Sequence, residues 1–169
     1  MALNTGMRRG EILRLKWRDV DIKRSIIYLH ETKNGEKREV PINEQVKAIL
    51  INTIRHPQSE YIFYNKDGTP MASNKRSFFT ALKKSGIKDF KFHDLRHTFA
   101  SHLVMSGIDL NTVRELLGHK SLQMTLRYSH LSANHKHIAV GVLSKRMDTI
   151  WTPSPNFENS YGESVVASI

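Results

Sequence analysis

The sequence predicts an α+β fold, mainly α-helical, with a small antiparallel β-ribbon, and three features lead to it. Apolar residues recur at helical spacing in most segments after Asn43, and two segments rich in β-branched and aromatic residues flank Asn34-Gly35. A hydrophobic fraction of 39% over 169 residues suffices for one packed core. No stretch approaches the roughly 20 apolar residues that a bilayer span needs. The opening residues lack the apolar run and small-residue cleavage site of a secretory signal. With no cysteine, disulfides, thiolate nucleophiles and cysteine zinc sites are excluded, and a cytoplasmic protein is expected.

Each element has a local reason. Ile12, Leu13 and Leu15 among charged residues predict a short amphipathic helix over Arg9 to Lys16, entered through Asn4, Thr5 and Gly6. Ser25 to Glu31 and Lys37 to Ile42 read as two strands of a hairpin, because Asn34 and Gly35 tolerate the positive φ of a tight turn. That ribbon carries Lys33 near its tip. Val46, Ile49, Leu50 and Ile54 follow at helical spacing, and Tyr61 to Tyr64 reads as a third short strand. Ser73 is the expected N-cap of a helix with Lys75, Arg76, Phe78, Phe79 and Leu82 that stops near Gly86, its two phenylalanines and leucine being core. A helix from Asp94 to Ser106 ends at Gly107. Asn111 caps another with Val113, Leu116 and Leu117, closed by Gly118. Ser121 opens the next, through Leu122 and Leu126, and Ser132 a last one through Ile138, Val142 and Leu143. From Asp148 the composition turns to Pro, Ser, Asn and Gly without periodicity, so residues 148–169 are expected to be a tail.

The 26 Lys and Arg against 16 Asp and Glu leave a charge of +10, which suits a polyanionic partner whose phosphates shed counterions on binding. Four places set reactive groups where a phosphate could reach them. Arg8 lies at the loop-to-helix junction TGMRRGE, and Lys33 stands on the hairpin. His93 and Arg96 in HDLRH share a helical face at i and i+3. LLGHKSLQMTLRYSHL places His119 just past one helix and Tyr128 on the following one. Singly, each also suits a solvated charge or a packing residue. The ordered set is what points to chemistry.

That set resembles the catalytic domain of the tyrosine recombinases, also called the phage integrase family, from Thr5 to about Leu131. TGMRRGEILRLKWRDVD, TKNGEKREVPI, HDLRHTFASHLVMSG and LGHKSLQMTLRYSHL carry the resemblance. It implies that Arg8 and Arg96 grip the non-bridging oxygens of a scissile DNA phosphate and that Tyr128 is the nucleophile. It also makes Lys33 the ribbon lysine, His93 the first histidine and His119 the second. Rigid guanidinium forks suit a phosphoryl group gaining charge on its equatorial oxygens. A phenol of pKa about 10 must lose its proton during attack. His93 is the candidate to accept it, Lys33 the general acid for the departing 5′ oxygen, and His119 a hydrogen-bond partner of the phosphoryl group. The product implied is a 3′-phosphotyrosyl linkage, made without cofactor, ATP or metal.

Glu11 is expected to orient the neighbouring arginine, and Lys75 and Arg76 to approach DNA backbone or a groove. Trp17 reads as a packing residue and Trp151 as part of the tail. The expected organisation is a catalytic domain over residues 1–147 without the N-terminal core-binding domain of full-length members. The implied partners are double-stranded DNA, other recombinase subunits on it and accessory DNA-bending proteins, with no membrane and a nucleoid-associated location. Three rivals are a type IB topoisomerase, a non-catalytic DNA-binding fragment and a metallohydrolase using His93 and His97. The last lacks the Glu directly after His93 that a zincin helix requires.

Overall fold

A computed structural model describes residues 1–30, 37–132, 140–144 and 146–147. The chain divides into two units, Met1–Ser132 and Ala133–Ile169. Lys33, the Asn34-Gly35 turn, Ile138 and the tail from Asp148 lie outside the described residues. In the second unit, residues 140–144 and 146–147 are helical, with Val140, Val142 and Leu143 exposed.

The first unit begins with a helical turn where the sequence suggests only an entry loop: α1 (Ala2–Thr5). It is closed by Gly6 in the left-handed region at φ 60°, a conformation that costs a glycine nothing. A Cβ there would also lie 2.5 Å from the Phe99 ring. Next comes α2 (Arg9–Leu13), shorter than predicted, whose Ile12 and Leu13 are buried. A 3₁₀ turn at Trp17–Asp19 leads into the sheet.

The two strands of the predicted ribbon pair antiparallel, β2 (Ile26–Leu29) against β3 (Arg38–Pro41), with Ile27 opposite Val40, both buried. Its third strand is β1 (Val20–Asp21), which pairs antiparallel with β2 in the order β1-β2-β3. Tyr61 to Tyr64 does not form that strand. It makes two isolated bridges, Lys16 with Tyr61 and Tyr64 with Pro70, and buries Ile62 in the core with Phe63 packed at its margin.

Asn43 caps α3 (Glu44–Asn52), its side chain accepting from the Val46 amide at 3.1 Å. Val46 and Leu50 are buried, whereas Ile49 is exposed and Ile54 falls beyond the helix, so the apolar stripe is narrower than the sequence suggested. The helix α4 (Lys75–Lys84) starts from Asn74 rather than Ser73, although the Ser73 hydroxyl accepts from the Lys75 amide. It buries no residue: Phe79 is exposed, and Phe78 and Leu82 are only half-buried. Helical spacing marked an apolar face there without saying that anything covers it. Three elements complete the unit: α5 (Asp94–Met105), α6 (Leu110–Leu117) and α7 (Gln123–Leu126), the last followed by a 3₁₀ turn at Ser129–Ser132. The cap of α6 is Asp109 rather than Asn111, its carboxylate accepting from the Asn111 and Thr112 amides. Leu122 and Leu126 are exposed, and Thr125 is the buried residue of α7.

Two apolar clusters hold these elements. One joins Met7, Ile12 and Leu15 to Ile27, Val40, Val46, Leu50 and Ile62, with Trp17 packed at its margin as predicted. The other joins Ala100 and Val104 of α5 to Val113 and Leu117 of α6 and to Tyr128. Helix α1 packs on α5, so the loop carrying Arg8 is held beside the second cluster.

Candidate active site

Arg8 is the N-cap of α2, and Glu11 is the third residue of that helix. The Glu11 carboxylate closes the start by accepting from the Arg8 amide at 2.8 Å, satisfying a donor the helix cannot. Its other oxygen takes the Arg8 guanidinium at 2.9 Å, so one buried carboxylate fixes both the backbone and the side chain of Arg8. This agrees with the orienting role expected of Glu11.

Arg8 does not stand alone. Helix α6 ends at Gly118, whose φ of 60° and ψ of 51° turn the chain sharply and leave the last carbonyls pointing outward. Arg8 Nη2 donates to the Gly118 carbonyl at 3.2 Å, while Arg38 Nη1 donates to that of Leu117 at 2.6 Å. Arg96 Nη2 shares the Leu117 carbonyl at 2.5 Å, and Arg96 Nη1 reaches back to Gly6 at 2.6 Å. The negative end of a helix dipole thus gathers three guanidinium groups.

Arg38, on β3, also pairs with the buried Glu11 at 2.9 Å, its own side chain only 10% exposed. One carboxylate therefore faces three guanidinium charges. Burial, with the Arg8 and Arg38 charges beside it, draws the Arg96 guanidinium down to about 9. It remains protonated at neutral pH, and the group as a whole favours an anion.

His119 follows the turn at Gly118, buried, with Nδ1 at 2.9 Å from the Thr125 hydroxyl. Burial and the nearby Arg96 and Arg8 charges bring its pKa down to about 4, so it is neutral at pH 7. His93, at the N-cap of α5, is likewise lowered, first by burial and then by Arg96. Tyr128 is only 6% exposed, and burial raises its phenol above the ordinary range. Its hydroxyl meets Nδ1 of His97 at 2.5 Å. A cavity of about 300 Å³ opens between these groups, lined by His93, Arg96, His97, His119, Arg127 and Tyr128 among others.

Five of the predicted residues thus come together: Arg8, His93, Arg96, His119 and Tyr128. Lys75 and Arg76 do not join them. Both are exposed at the start of α4, and Lys75 lines a separate apolar cleft with Phe78, Phe79 and Leu82. Sequence reasoning missed Arg38, His97 and Thr125 as members of the site. Arg38 read as an ordinary strand residue and His97 only as a rival metal ligand. Thr125 lies three residues before Tyr128, a spacing that could have signalled a shared surface. Among the described residues no three His, Cys, Asp or Glu side chains group as a metal site, and no helix is long and apolar enough to cross a membrane.

The helices, the three-stranded sheet and the grouping of these residues define a tyrosine recombinase catalytic-domain fold. The model of the phage integrase family matches residues 1–135. An integrase of Salmonella phage P22 is 34% identical over 94% of this chain and 44% of its own length. The crystal structure of XerA recombinase superposes with a TM-score of 0.69 at 29% identity, over 83% of this chain and 55% of that one. XerH site-specific recombinase bound to its difH substrate, in a pre-cleavage complex, gives 0.67 at 26% identity, over 82% of this chain and 43% of that one. The chain belongs to the phage integrase family, and it spans about half or less of the length of the curated relatives it matches.

Proposed function

We propose that this chain cleaves and rejoins DNA strands at specific sites through a covalent 3′-phosphotyrosyl intermediate. The observation that carries the reading is the Tyr128 hydroxyl at the wall of a cavity shared with His93, Arg96 and His119, with Arg8 anchored at the adjoining helix end. A phosphodiester in that cavity would meet fixed donors before any charge develops, which is how an enclosed site stabilises a phosphoryl transition state. Arg8 and Arg96 hold the non-bridging oxygens, and His119, neutral and steadied through Thr125, offers Nε2 to the phosphoryl group. Tyr128 Oη attacks phosphorus, and the bond to the 5′ oxygen breaks. Lys33 supplies the proton that the departing oxygen needs. Because the phosphodiester bond energy is kept in the tyrosyl ester, the reverse attack by a 5′ hydroxyl rejoins a strand without ATP.

The partners proposed are double-stranded DNA, further subunits of the same kind on that DNA, and DNA-bending accessory proteins; that would place the chain with the nucleoid. The similar XerH recombinase is itself bound to its difH substrate, which supports the first of these. Lys75 and Arg76 are proposed as backbone contacts outside the catalytic cavity.

The test uses nicked duplexes with randomised arms, incubated with the chain and resolved under denaturing conditions. A protein–DNA adduct should form with the chain and vanish with Tyr128→Phe. An adduct that survives Tyr128→Phe would refute the reading.

A further inference from the structure

We infer that His97, through Nδ1, orients the Tyr128 hydroxyl and takes its proton as it attacks phosphorus. The inference rests on Tyr128 being the nucleophile. His93 is the histidine to which the sequence assigns this task, yet the imidazole against the phenol is that of His97.

The two histidines sit one helical turn apart on α5, and their rings meet edge to face with centroids 4.8 Å apart. His97 therefore stands between His93 and the tyrosine. Its Nδ1 lies 2.5 Å from Tyr128 Oη. A short contact of this kind fixes the phenol on the cavity side of its ring. It also holds Tyr128 in the cluster formed by Ala100, Val104, Val113 and Leu117.

The direction of the bond follows from the donors available. A phenol has one hydrogen to donate, and a buried donor without an acceptor is costly. With Nδ1 unprotonated, that hydrogen is satisfied and His97 carries its own proton on Nε2. With Nδ1 protonated, the phenol hydrogen has no protein acceptor among the described residues. The neutral ring is favoured by its surroundings: it is half-buried, with His93, Arg96 and Arg127 nearby, against the single opposing charge of Asp94. The phenol, raised by its own burial, keeps its proton until attack. An acceptor already in contact is what such a nucleophile needs.

The proton then has a complete route. As Oη bonds to phosphorus, the O–H bond breaks and an N–H bond forms at Nδ1, leaving an imidazolium beside the anionic phosphoryl group. The P–O bond to the 5′ oxygen breaks, and that oxygen is protonated by the general acid. On rejoining, the 5′ hydroxyl attacks phosphorus and gives its proton back to the deprotonated general acid, while the P–Oη bond breaks and Nδ1 returns its proton to Oη.

Two measurements test this. In the first, nitrogen-15 NMR of the labelled chain, without substrate, should show His97 with Nδ1 unprotonated and Nε2 protonated near neutral pH. Tyr128→Phe should shift the Nδ1 resonance. A protonated Nδ1, or a resonance indifferent to Tyr128→Phe, would overturn the inference. The second is single-turnover adduct formation on the nicked duplexes with randomised arms, with DNA binding followed by anisotropy. In His97→Asn the amide oxygen can still accept the phenol hydrogen bond but cannot take the proton. That variant should bind as the parent does and form adduct on the order of 10² to 10⁴ more slowly. Its rate should also lose the rise with pH that deprotonation of His97 imposes on the parent. If His97→Asn matches the parent while Tyr128→Phe is inert, the inference fails and the nucleophile stands. If Tyr128→Phe still forms adduct, the reading beneath it fails first.

Discussion

Replacing Glu11 by glutamine should unsettle the arginine cluster more than any surface charge change of equal size. The 8%-exposed residue accepts from the Arg8 amide at 2.8 Å, from Arg8 Nη1 at 2.9 Å and from Arg38 Nη2 at 2.9 Å. Glutamine preserves the shape but removes the charge, and its amide group must turn a donor toward one of those donors. Hydrogen bonds to a charged group contribute about 1.5 to 3 kcal/mol each. Breaking a buried ion pair from one side costs about 3 to 5 kcal/mol. We take roughly 3 kcal/mol for Glu11→Gln, a large share of the 5 to 15 kcal/mol on which a domain of this size rests. At about 2 to 4 °C per kcal/mol, Tm should fall by roughly 6 to 12 °C. Urea unfolding followed by far-ultraviolet circular dichroism reads the free energy. Arg38→Met, made alone and with Glu11→Gln, closes a double-mutant cycle. The double variant should cost less than the two singles together by about 0.5 to 3 kcal/mol. A Glu11→Gln loss under about 0.5 kcal/mol, or simple additivity, would refute the view that this carboxylate holds the cluster.

Thr125→Val keeps the volume of a fully buried residue and deletes the partner of His119 Nδ1, so adduct formation should slow and the His119 ring should lose its single tautomer by nitrogen-15 NMR, while Thr125→Ser should preserve both. Acid should weaken the fold through the histidines. His119 titrates at about 4 when folded and near 6.5 when unfolded, and His93 and His97 are shifted the same way. The unfolded chain therefore binds more protons in that window, so stability is fully present above about pH 6.5 and is lost as pH falls toward about 4. A urea midpoint as high at about pH 5 as at about pH 7.5 would contradict the shift. Lys33→Ala should stall cleavage and be rescued by a sulfur at the 5′ bridging position, which leaves without a proton; rescue of Lys37→Ala instead would move the acid along the ribbon.

The sequence and the structure agree where the cause is local. The ribbon strands followed from Ile26 to Leu29, the helix α3 from the spacing of Val46 and Leu50, and the stop of α6 from Gly118, because each depends on residues within a turn or a strand of one another. They part where the cause is distant. Val20 and Asp21 are too few to announce a strand, and pairing with β2 makes them one. Phe79 has the spacing of a core residue, but it stays exposed. In the site, Arg8, Arg96, His119 and Tyr128 were legible as an ordered set. Arg38 was not, since its meaning lies in reaching the Leu117 carbonyl 79 residues away, and His97 gained its meaning only when the 31 residues to Tyr128 closed into a contact.

The most direct measurement of the central claim is to locate the DNA on the protein. The adduct captured on nicked duplexes is trimmed with nuclease, digested with trypsin and sequenced by tandem mass spectrometry. Cleavage after Arg127 and Lys136 frees the peptide YSHLSANHK, which begins at Tyr128. The account predicts a nucleotide joined through its 3′ phosphate to Tyr128. The same modification on Tyr28, Tyr61, Tyr64 or Tyr161, or a nucleotide joined through its 5′ phosphate, would contradict it.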